Sequence, residues 1–167
     1  MDQQQMEQIY EKNMMTVYKY LFCLTHSAEL SEELTQETFY QAIKGIGRFR
    51  GDCKISVWLC QIAKRLWYKE LERRKRHLFP EPEIETEAVS TVTPEQDVLS
   101  SQAKLQLFKQ MHKLDPATKE VMYLRLTGEL SFAEIGEILE KTETWARVTF
   151  YRGKQKLAEE KKAWDPN

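Results

Sequence analysis

The residues best suited to a chemical task lie near the end of the chain, where the pattern from Ser131 to Leu157 predicts a short helix, a turn and a basic helix. Ser131 and Glu134 have the spacing of a capping box, which satisfies free backbone N–H groups at a helix start. Exposed Lys and Arg side chains on a helix neutralise DNA phosphates. The segment therefore predicts a helix-turn-helix that reads DNA, in preference to a helical hairpin with a solvated basic face.

Two apolar stripes are predicted to pack together in this segment. The first helix contributes Phe132, Ile135, Ile138 and Leu139, and Gly136 is small enough for another helix to approach closely. The second helix buries Ala146, Phe150, Gly153 and Leu157. Its outward face then carries Trp145, Arg147, Val148, Tyr151, Arg152, Lys154 and Lys156. The exposed face is therefore expected to be basic and aromatic.

No other group of residues suggests catalysis or metal binding. The histidines and cysteines stand apart, without a catalytic arrangement or metal-ligand spacing. They are His26, His77, His112, Cys23, Cys53 and Cys60. We expect reduced structural thiols, no cofactor and no enzymatic activity. The polar start of the chain, residues 1–12, predicts neither a signal peptide nor a membrane span, so a cytoplasmic protein is expected.

Charge is segregated along the chain, although the net charge is only −1. Residues 44–76 contain eleven Lys and Arg against three acids, whereas residues 80–103 contain six acids and no Lys or Arg. The basic block can present a surface to nucleic acid. The stretch 77–100 contains three prolines and no sustained periodicity, which predicts a linker. It is either a self-repelling spacer or an acidic strand that occupies a basic channel meant for nucleic acid.

Upstream of the linker, residues 9–76 are predicted to be helical throughout. A long first helix is too apolar to be a simple surface helix and needs partners to cover it. A second helix is predicted from about Ser31 to Ile43. A third is predicted to turn Trp58, Leu59, Ile62, Ala63 and Leu66 inward and to end in the charged run from Lys69 to Arg76. We therefore predict an all-α protein with two small helical domains, at 1–78 and 102–167, joined by an acidic flexible linker at 79–101.

Two stretches resemble the bacterial extracytoplasmic-function sigma factors of the sigma-70 family. Region 2 of these proteins is similar to the segment EELTQETFYQAIKGIGRFRGDCKISVWLCQIAKRLWYKELERRKR, which keeps close to the pattern Asp-Leu-x-Gln-Glu-x-Phe, Phe-Arg-Gly and Trp-Leu-x-x-Ile-Ala. Region 4 is similar to LDPATKEVMYLRL together with the helix-turn-helix. The order, the spacing and the linker agree, which a chance match to one helix-turn-helix would not produce.

The resemblance implies a promoter-specificity subunit of RNA polymerase. In the family, the helix with the Gln-Glu motif binds a coiled coil of the largest core subunit, and the flap of the second-largest subunit is a further partner. The core-binding candidates are Glu33, Leu34, Gln36, Glu37 and Phe39. An ordinary amphipathic helix is the alternative, but a polar face with fixed acids suits a basic partner. The family also implies promoter DNA and an anti-sigma factor as partners, without membrane insertion of this chain.

The turn after that helix corresponds to the family's pocket for a base flipped out of the minus-ten element. With neighbouring cations and aromatics, the minus-ten candidates are Gly45, Arg48, Phe49, Arg50, Lys64, Arg65, Trp67 and Tyr68. Flipping a base costs a few kcal/mol, and stacking on an aromatic ring returns about 1–3 kcal/mol. Phe49 can equally be a plug that anchors its loop. One of Trp67 and Tyr68 is expected to pack inward.

The readers of the minus-thirty-five element fall on the region that resembles region 4. These candidates are Arg125, Arg147, Val148 and Tyr151, with Arg152 and Lys154 suited to phosphates. Arg147 can pair with a guanine edge, while Val148 and Tyr151 can contact a thymine methyl. Many relatives have Gly-Thr-Val-Lys-Ser-Arg where residues 144–149 read Thr-Trp-Ala-Arg-Val-Thr, so Trp145 is unusual and is favoured as a staple for the turn over a reader.

The resemblance also gives the linker a role, since in the family it threads through the polymerase active cleft and the RNA exit path. Two rival hypotheses remain for the chain as a whole. One is an autonomous helix-turn-helix regulator, and the other is a helical adaptor that binds only protein. The sigma-factor hypothesis differs from both because it requires the chain to confer specific initiation on core polymerase.

Overall fold

The computed structural model describes residues 3–77, 106–107 and 109–164, with the backbone alone for residue 127 and residues 161–164. Every regular element in these ranges is a helix, in agreement with the predicted all-α fold. The α-helices are α1 Gln3–Thr25, α2 Ala28–Gly45, α3 Ile55–Arg76, α4 Pro116–Thr127, α5 Phe132–Leu139 and α6 Glu143–Trp164. One 3₁₀ turn, Ile46–Arg48, follows α2. The predicted acidic linker at 79–101 lies outside the described residues.

Helices α1–α3 pack into one unit around a shared apolar core. Its buried members include Val17, Tyr20, Leu21 and Cys23 from α1, Leu30, Leu34, Phe39 and Ala42 from α2, and Val57, Leu59, Cys60 and Ala63 from α3. The long α1 is therefore covered on two sides, as its broad apolar content requires. It begins at Gln3, before the apolar pattern, because Gln and Glu favour a helix without packing.

The start of α2 differs from the prediction. The helix begins at Ala28 rather than Ser31, because the Ser27 hydroxyl accepts a hydrogen bond from the Leu30 backbone N–H at 3.2 Å and so acts as the N-cap. Ser31 is buried one turn into the helix, where its hydroxyl donates to the Ser27 carbonyl at 2.6 Å. The helix also continues past Ile43 and ends at Gly45.

Helices α4–α6 form the second unit. The Asp115 carboxylate caps α4 by accepting from the Thr118 N–H, and Pro116 occupies the first turn, where its missing N–H has no cost. The predicted capping box of α5 is confirmed, with Glu134 N to Ser131 Oγ at 3.2 Å and Ser131 N to Glu134 Oε2 at 2.8 Å. Helix α5 ends at Leu139, and the left-handed φ of 57° at its C-cap, Glu140, turns the chain toward α6.

The two units also pack against each other, α1 on α4 and α3 on α5. The Tyr20 hydroxyl donates to Glu120 Oε1 at 2.8 Å, and both side chains are buried. Lys54 and Glu134 form an ion pair at 2.7 Å near the surface. The rings of His26 and His112 meet edge to face, with centroids 4.1 Å apart. Sequence patterns did not predict this packing, which sets the positions of the candidate sites relative to one another.

Candidate nucleic-acid interfaces

Helix α2 and the end of α3 border an open groove of about 930 Å³, here called the α2 groove. Its lining includes Glu33, Leu34, Gln36 and Glu37 from α2 and Lys69, Glu70, Arg73 and Arg76 from α3. Four of the five core-binding candidates therefore lie together. Phe39 is instead buried beneath them, where its ring packs edge-on against Tyr10 with centroids 4.8 Å apart. Phe39 can only support this surface, whereas the polar residues can contact a partner.

The basic end of α3 is partly neutralised within the helix. Both Arg73 and Arg74 donate to the Glu70 carboxylate, at 2.7–2.9 Å. These hydrogen bonds, chiefly those from Arg73, lower the pKa of Glu70 to about 2. The run of cations from 73 to 76 is consequently less available to DNA than its composition suggests.

A second cavity, of about 450 Å³, lies at the turn between α2 and α3 and is called the turn cavity. It is lined by Gln41, Gly45, Arg48, Trp58, Ile62, Arg65, Leu66 and Lys69. Three minus-ten candidates, Gly45, Arg48 and Arg65, are thus brought together, while Arg50 lies outside the lining and is exposed. The cavity combines two guanidinium groups with an indole, a combination that suits a nucleotide base and its phosphate.

The aromatic residue of the turn cavity is Trp58, which the sequence pattern assigned to the core. Its side chain is only half-buried, and its ring lies 4.9 Å from that of Phe49 with an interplanar angle of 37°. Phe49 thereby fixes the loop against α3, as expected of a loop anchor, and its contact with a base stays a prediction. A tryptophan that follows a basic loop, at the first turn of a helix, was the available sequence signal.

Two of the remaining minus-ten candidates on α3, Lys64 and Tyr68, face the second unit. Lys64 Nζ donates to the Ile138 carbonyl at 3.2 Å. Tyr68 lines a cavity of about 580 Å³ together with Glu137 of α5 and the C-cap residue Glu140. Tyr68 is 47% exposed, whereas Trp67 packs against the core, which confirms that one of this pair is directed inward. In this arrangement α5 partly covers the side of α3 that carries Lys64 and Tyr68, here called the α3 face.

Helix α6 presents the expected outward face. Its buried side holds Ala146, Phe150, Gly153 and Leu157, as predicted. The opposite side exposes Arg147, Val148, Tyr151, Arg152 and Lys154, here called the α6 face. Val148 and Tyr151 are 41% and 56% exposed, so the α6 face places two apolar side chains among three cations.

Trp145 and Arg125 have structural contacts at the edge of the α6 face. The Trp145 ring is half-buried against the core, and Lys141 Nζ lies 5.8 Å from its centroid, which fits the role of a staple for the turn. Arg125, in the last turn of α4, donates from Nη1 to the Leu130 carbonyl at 2.8 Å. This bond ties the α4–α5 loop to the end of α4.

The two glycines of the helix-turn-helix permit different close approaches. At Gly136, a Cβ would lie 2.7 Å from the Lys141 carbonyl oxygen, so the turn backbone and not another helix occupies this space, which corrects the expectation. Close helix packing instead occurs at Gly153, where a Cβ would lie 2.8 Å from Thr118 Cγ2 and 2.9 Å from Met122 Sδ. Both glycines fix the position of α6 and hence of its outer face.

The three cysteines are free thiols. Cys23 and Cys60 are buried, and burial raises the pKa of both thiols, that of Cys60 to about 12. Within the described residues, no group of three or more His, Cys, Asp or Glu side chains is placed to hold a metal ion. Of the helices in the same part of the chain, none combines the length and apolar content needed to cross a bilayer.

The fold and these surfaces define a helical protein with a DNA-binding helix-turn-helix joined to a second helical unit. The sequence model of Sigma-70 region 2 matches residues 9–77, and that of Sigma-70, region 4, matches residues 104–157. The chain is 30% identical over 154 residues to the RNA polymerase sigma factor YlaC of Bacillus subtilis, covering 90% of this chain and 88% of the relative. It is 27% identical over 150 residues to the ECF RNA polymerase sigma factor SigW of the same organism, covering 84% and 80%.

Solved structures show the same fold. The sigma factor RpoE of Bartonella quintana, in complex with the anti-sigma factor NepR, has a TM-score of 0.71 at 17% identity, covering 92% of this chain and 94% of that one. CnrH, in complex with the cytosolic domain of CnrY, has a TM-score of 0.70 at 16% identity, covering 97% and 90%. The chain belongs to the extracytoplasmic-function group of the sigma-70 family, the promoter-specificity subunits of RNA polymerase.

Proposed function

We propose a division of labour among the three surfaces of this sigma factor. The α2 groove binds the core polymerase, the turn cavity with the adjoining α3 face reads and melts the minus-ten element, and the α6 face reads the minus-thirty-five element. The proposed domain limits are 1–78 and 102–167, with 79–101 as the linker that enters the polymerase. The observation that carries the proposal is the α6 face, where cations and apolar groups stand exposed opposite a fully packed side.

Each surface has the chemistry for its assigned partner. Glu33 and Gln36 on the α2 groove are exposed polar groups that suit a basic coiled coil. Arg48 and Arg65 supply cations beside the Trp58 indole, so that a flipped base can stack while its phosphate is neutralised. On the α6 face, Arg147 has the bidentate geometry that a guanine edge accepts.

The division is tested with reconstituted holoenzyme and three variants. Arg147→Ala with Tyr151→Ala is expected to leave core binding unchanged while promoter-specific transcription is lost. Glu33→Ala with Gln36→Ala is expected to weaken binding to core polymerase and so to lower transcription at every promoter. Lys12→Ala, which removes an exposed cation of α1 outside the three surfaces, is the control and is expected to behave as wild type. Unchanged promoter choice in the first variant would remove both residues from the site.

An anti-sigma factor is proposed as a further partner, acting in the cytoplasm where the polymerase is found. The support is the fold shared with RpoE and CnrH, each solved with a protein that binds it. Such a partner is expected to compete with core polymerase for the α2 groove. Competition is measured by titrating a candidate partner into the holoenzyme, and a ternary complex that retains full promoter-specific activity would contradict it.

A further inference from the structure

A single aromatic ring contacts three of the side chains assigned to minus-thirty-five reading. Phe132 is the first residue of α5 and is half-buried. Its centroid lies 4.5 Å from Arg125 Cζ and 5.5 Å from Arg147 Cζ, and its ring is 6.2 Å from that of Tyr151. Arg125 belongs to α4 and the other two to α6, so Phe132 is the point at which the three helices bring these groups together.

The ring is itself held, and each guanidinium has one further partner. The Phe150 ring supports Phe132 from the core side, with centroids 5.5 Å apart. Arg125 donates to the Leu130 carbonyl and Arg147 to the Glu143 carboxylate, both at 2.8 Å. A long arginine side chain fixed by only one surface hydrogen bond samples many rotamers. A guanidinium that also lies on an aromatic ring is restricted further and is attracted by the ring quadrupole.

Resting on the proposed function of the α6 face, we propose that Phe132 is a positioning residue for promoter recognition. It orients the Arg125 and Arg147 guanidinium groups before DNA arrives and makes no hydrogen bond to the DNA itself. Preorganisation of this kind reduces the ordering that binding would otherwise require. Two exposed cation–π contacts together correspond to roughly a 5- to 30-fold effect on discrimination between promoters.

The test compares Phe132→Leu and Phe132→Met, which keep apolar bulk without the ring, with Phe132→Tyr, which keeps the ring. Each variant is assembled into holoenzyme and transcribes a pool of promoters randomised in the minus-thirty-five element. The two ring-free variants are expected to lose roughly 5- to 30-fold in discrimination at the base read by Arg147. Phe132→Tyr is expected to stay within about twofold of wild type, because its ring retains the cation–π contacts.

Three further results separate positioning from folding. Minus-ten preference and the thermal unfolding midpoint are expected to change little in at least one ring-free variant. In an Arg147→Ala background, removal of the ring is expected to have a much smaller additional effect, because the group it positions is gone. Equal losses in the ring-free and ring-keeping variants, or wild-type discrimination in a ring-free variant, would overturn the inference alone. A wild-type holoenzyme without minus-thirty-five preference would overturn the proposed function and the inference with it.

Discussion

The buried hydrogen bond between Tyr20 and Glu120 provides a quantitative test of how the two units pack. Tyr20 is 1% exposed and Glu120 is 8% exposed, so water screens their interaction little. Removing the hydroxyl in Tyr20→Phe leaves a buried carboxylate without this donor at 2.8 Å. A hydrogen bond to a charged group contributes about 1.5–3 kcal/mol net. We therefore expect Tyr20→Phe to lower the free energy of unfolding by about 2 kcal/mol.

The measurement is a double-mutant cycle of Tyr20→Phe and Glu120→Met in urea unfolding. Residues in direct contact through a hydrogen bond give a coupling free energy, expected here to be about 1.5–3 kcal/mol. Tyr18→Phe, whose ring stacks on Phe22 within α1, is the matched control for loss of a hydroxyl and is expected to change stability by less than about 0.5 kcal/mol.

The effect of Tyr20→Phe should also depend on pH, with a defined sign. Burial raises the pKa of Glu120, and the hydrogen bond from Tyr20 partly lowers it again, because it stabilises the carboxylate. A group with a raised folded-state pKa loses its contribution to stability as pH rises through that pKa. Without the hydroxyl the pKa rises further, so the deficit of the variant is expected to be larger at neutral pH than at pH 4.

Two results would refute this reasoning. Additive effects within about 0.5 kcal/mol would show that Tyr20 and Glu120 are not in contact in solution. A deficit that grows as the pH falls would show that the carboxylate is not the group that the hydroxyl stabilises.

Three further predictions concern stability. Gly136→Ala is expected to lower the free energy of unfolding by about 1–3 kcal/mol, because the added methyl group meets the turn backbone. Gly47→Ala, which has open space around it, is the control. Equal denaturation midpoints for Gly136→Ala and wild type would contradict the packing. Burial, aided by neighbouring cationic groups, lowers the pKa of His26 to about 4. Stability present above pH 6.5 is therefore expected to be lost as the pH falls toward 4, by about 1–2 kcal/mol after discounting for partial exposure. Thermal unfolding at pH 7.5 and 5 tests this, and His26→Asn, which suits the positive φ, should show a weaker pH dependence. Ser131→Ala should cost about 1 kcal/mol through loss of the α5 cap, whereas hydrogen exchange at the start of α5 equal to wild type would contradict it.

Local signals in the sequence predicted much of the fold. The capping box at Ser131 and the buried positions of α6 follow from spacing alone, because a helix repeats every 3.6 residues and its cap depends on near neighbours. The predicted start of α2 was wrong because two serines one turn apart, Ser27 and Ser31, are both possible caps. Only packing, which buries Ser31 completely, decides between them.

Contacts between distant residues could not be predicted in this way. Tyr20 and Glu120 are one hundred positions apart, and no periodicity relates them. The same reason explains why Trp58 was assigned to the core and why Lys64 was treated as free for DNA, since its bond to the Ile138 carbonyl depends on the packing of α3 against α5. The family pattern located the candidate residues, whereas their grouping into a groove, a cavity and a face required the three-dimensional structure.

The central claim, that this sigma factor directs core polymerase through three separate surfaces, is tested most directly by transcription from a random promoter library with purified components. Core polymerase with the wild-type chain is expected to initiate at defined positions downstream of two conserved elements, and core polymerase alone is not. Arg65→Ala should alter the bases selected at the upstream edge of the melted minus-ten region. Arg147→Ala should alter the bases selected only in the minus-thirty-five element. Tight binding of the chain alone to duplex DNA, with no association with core polymerase and no change in start sites, would contradict the account.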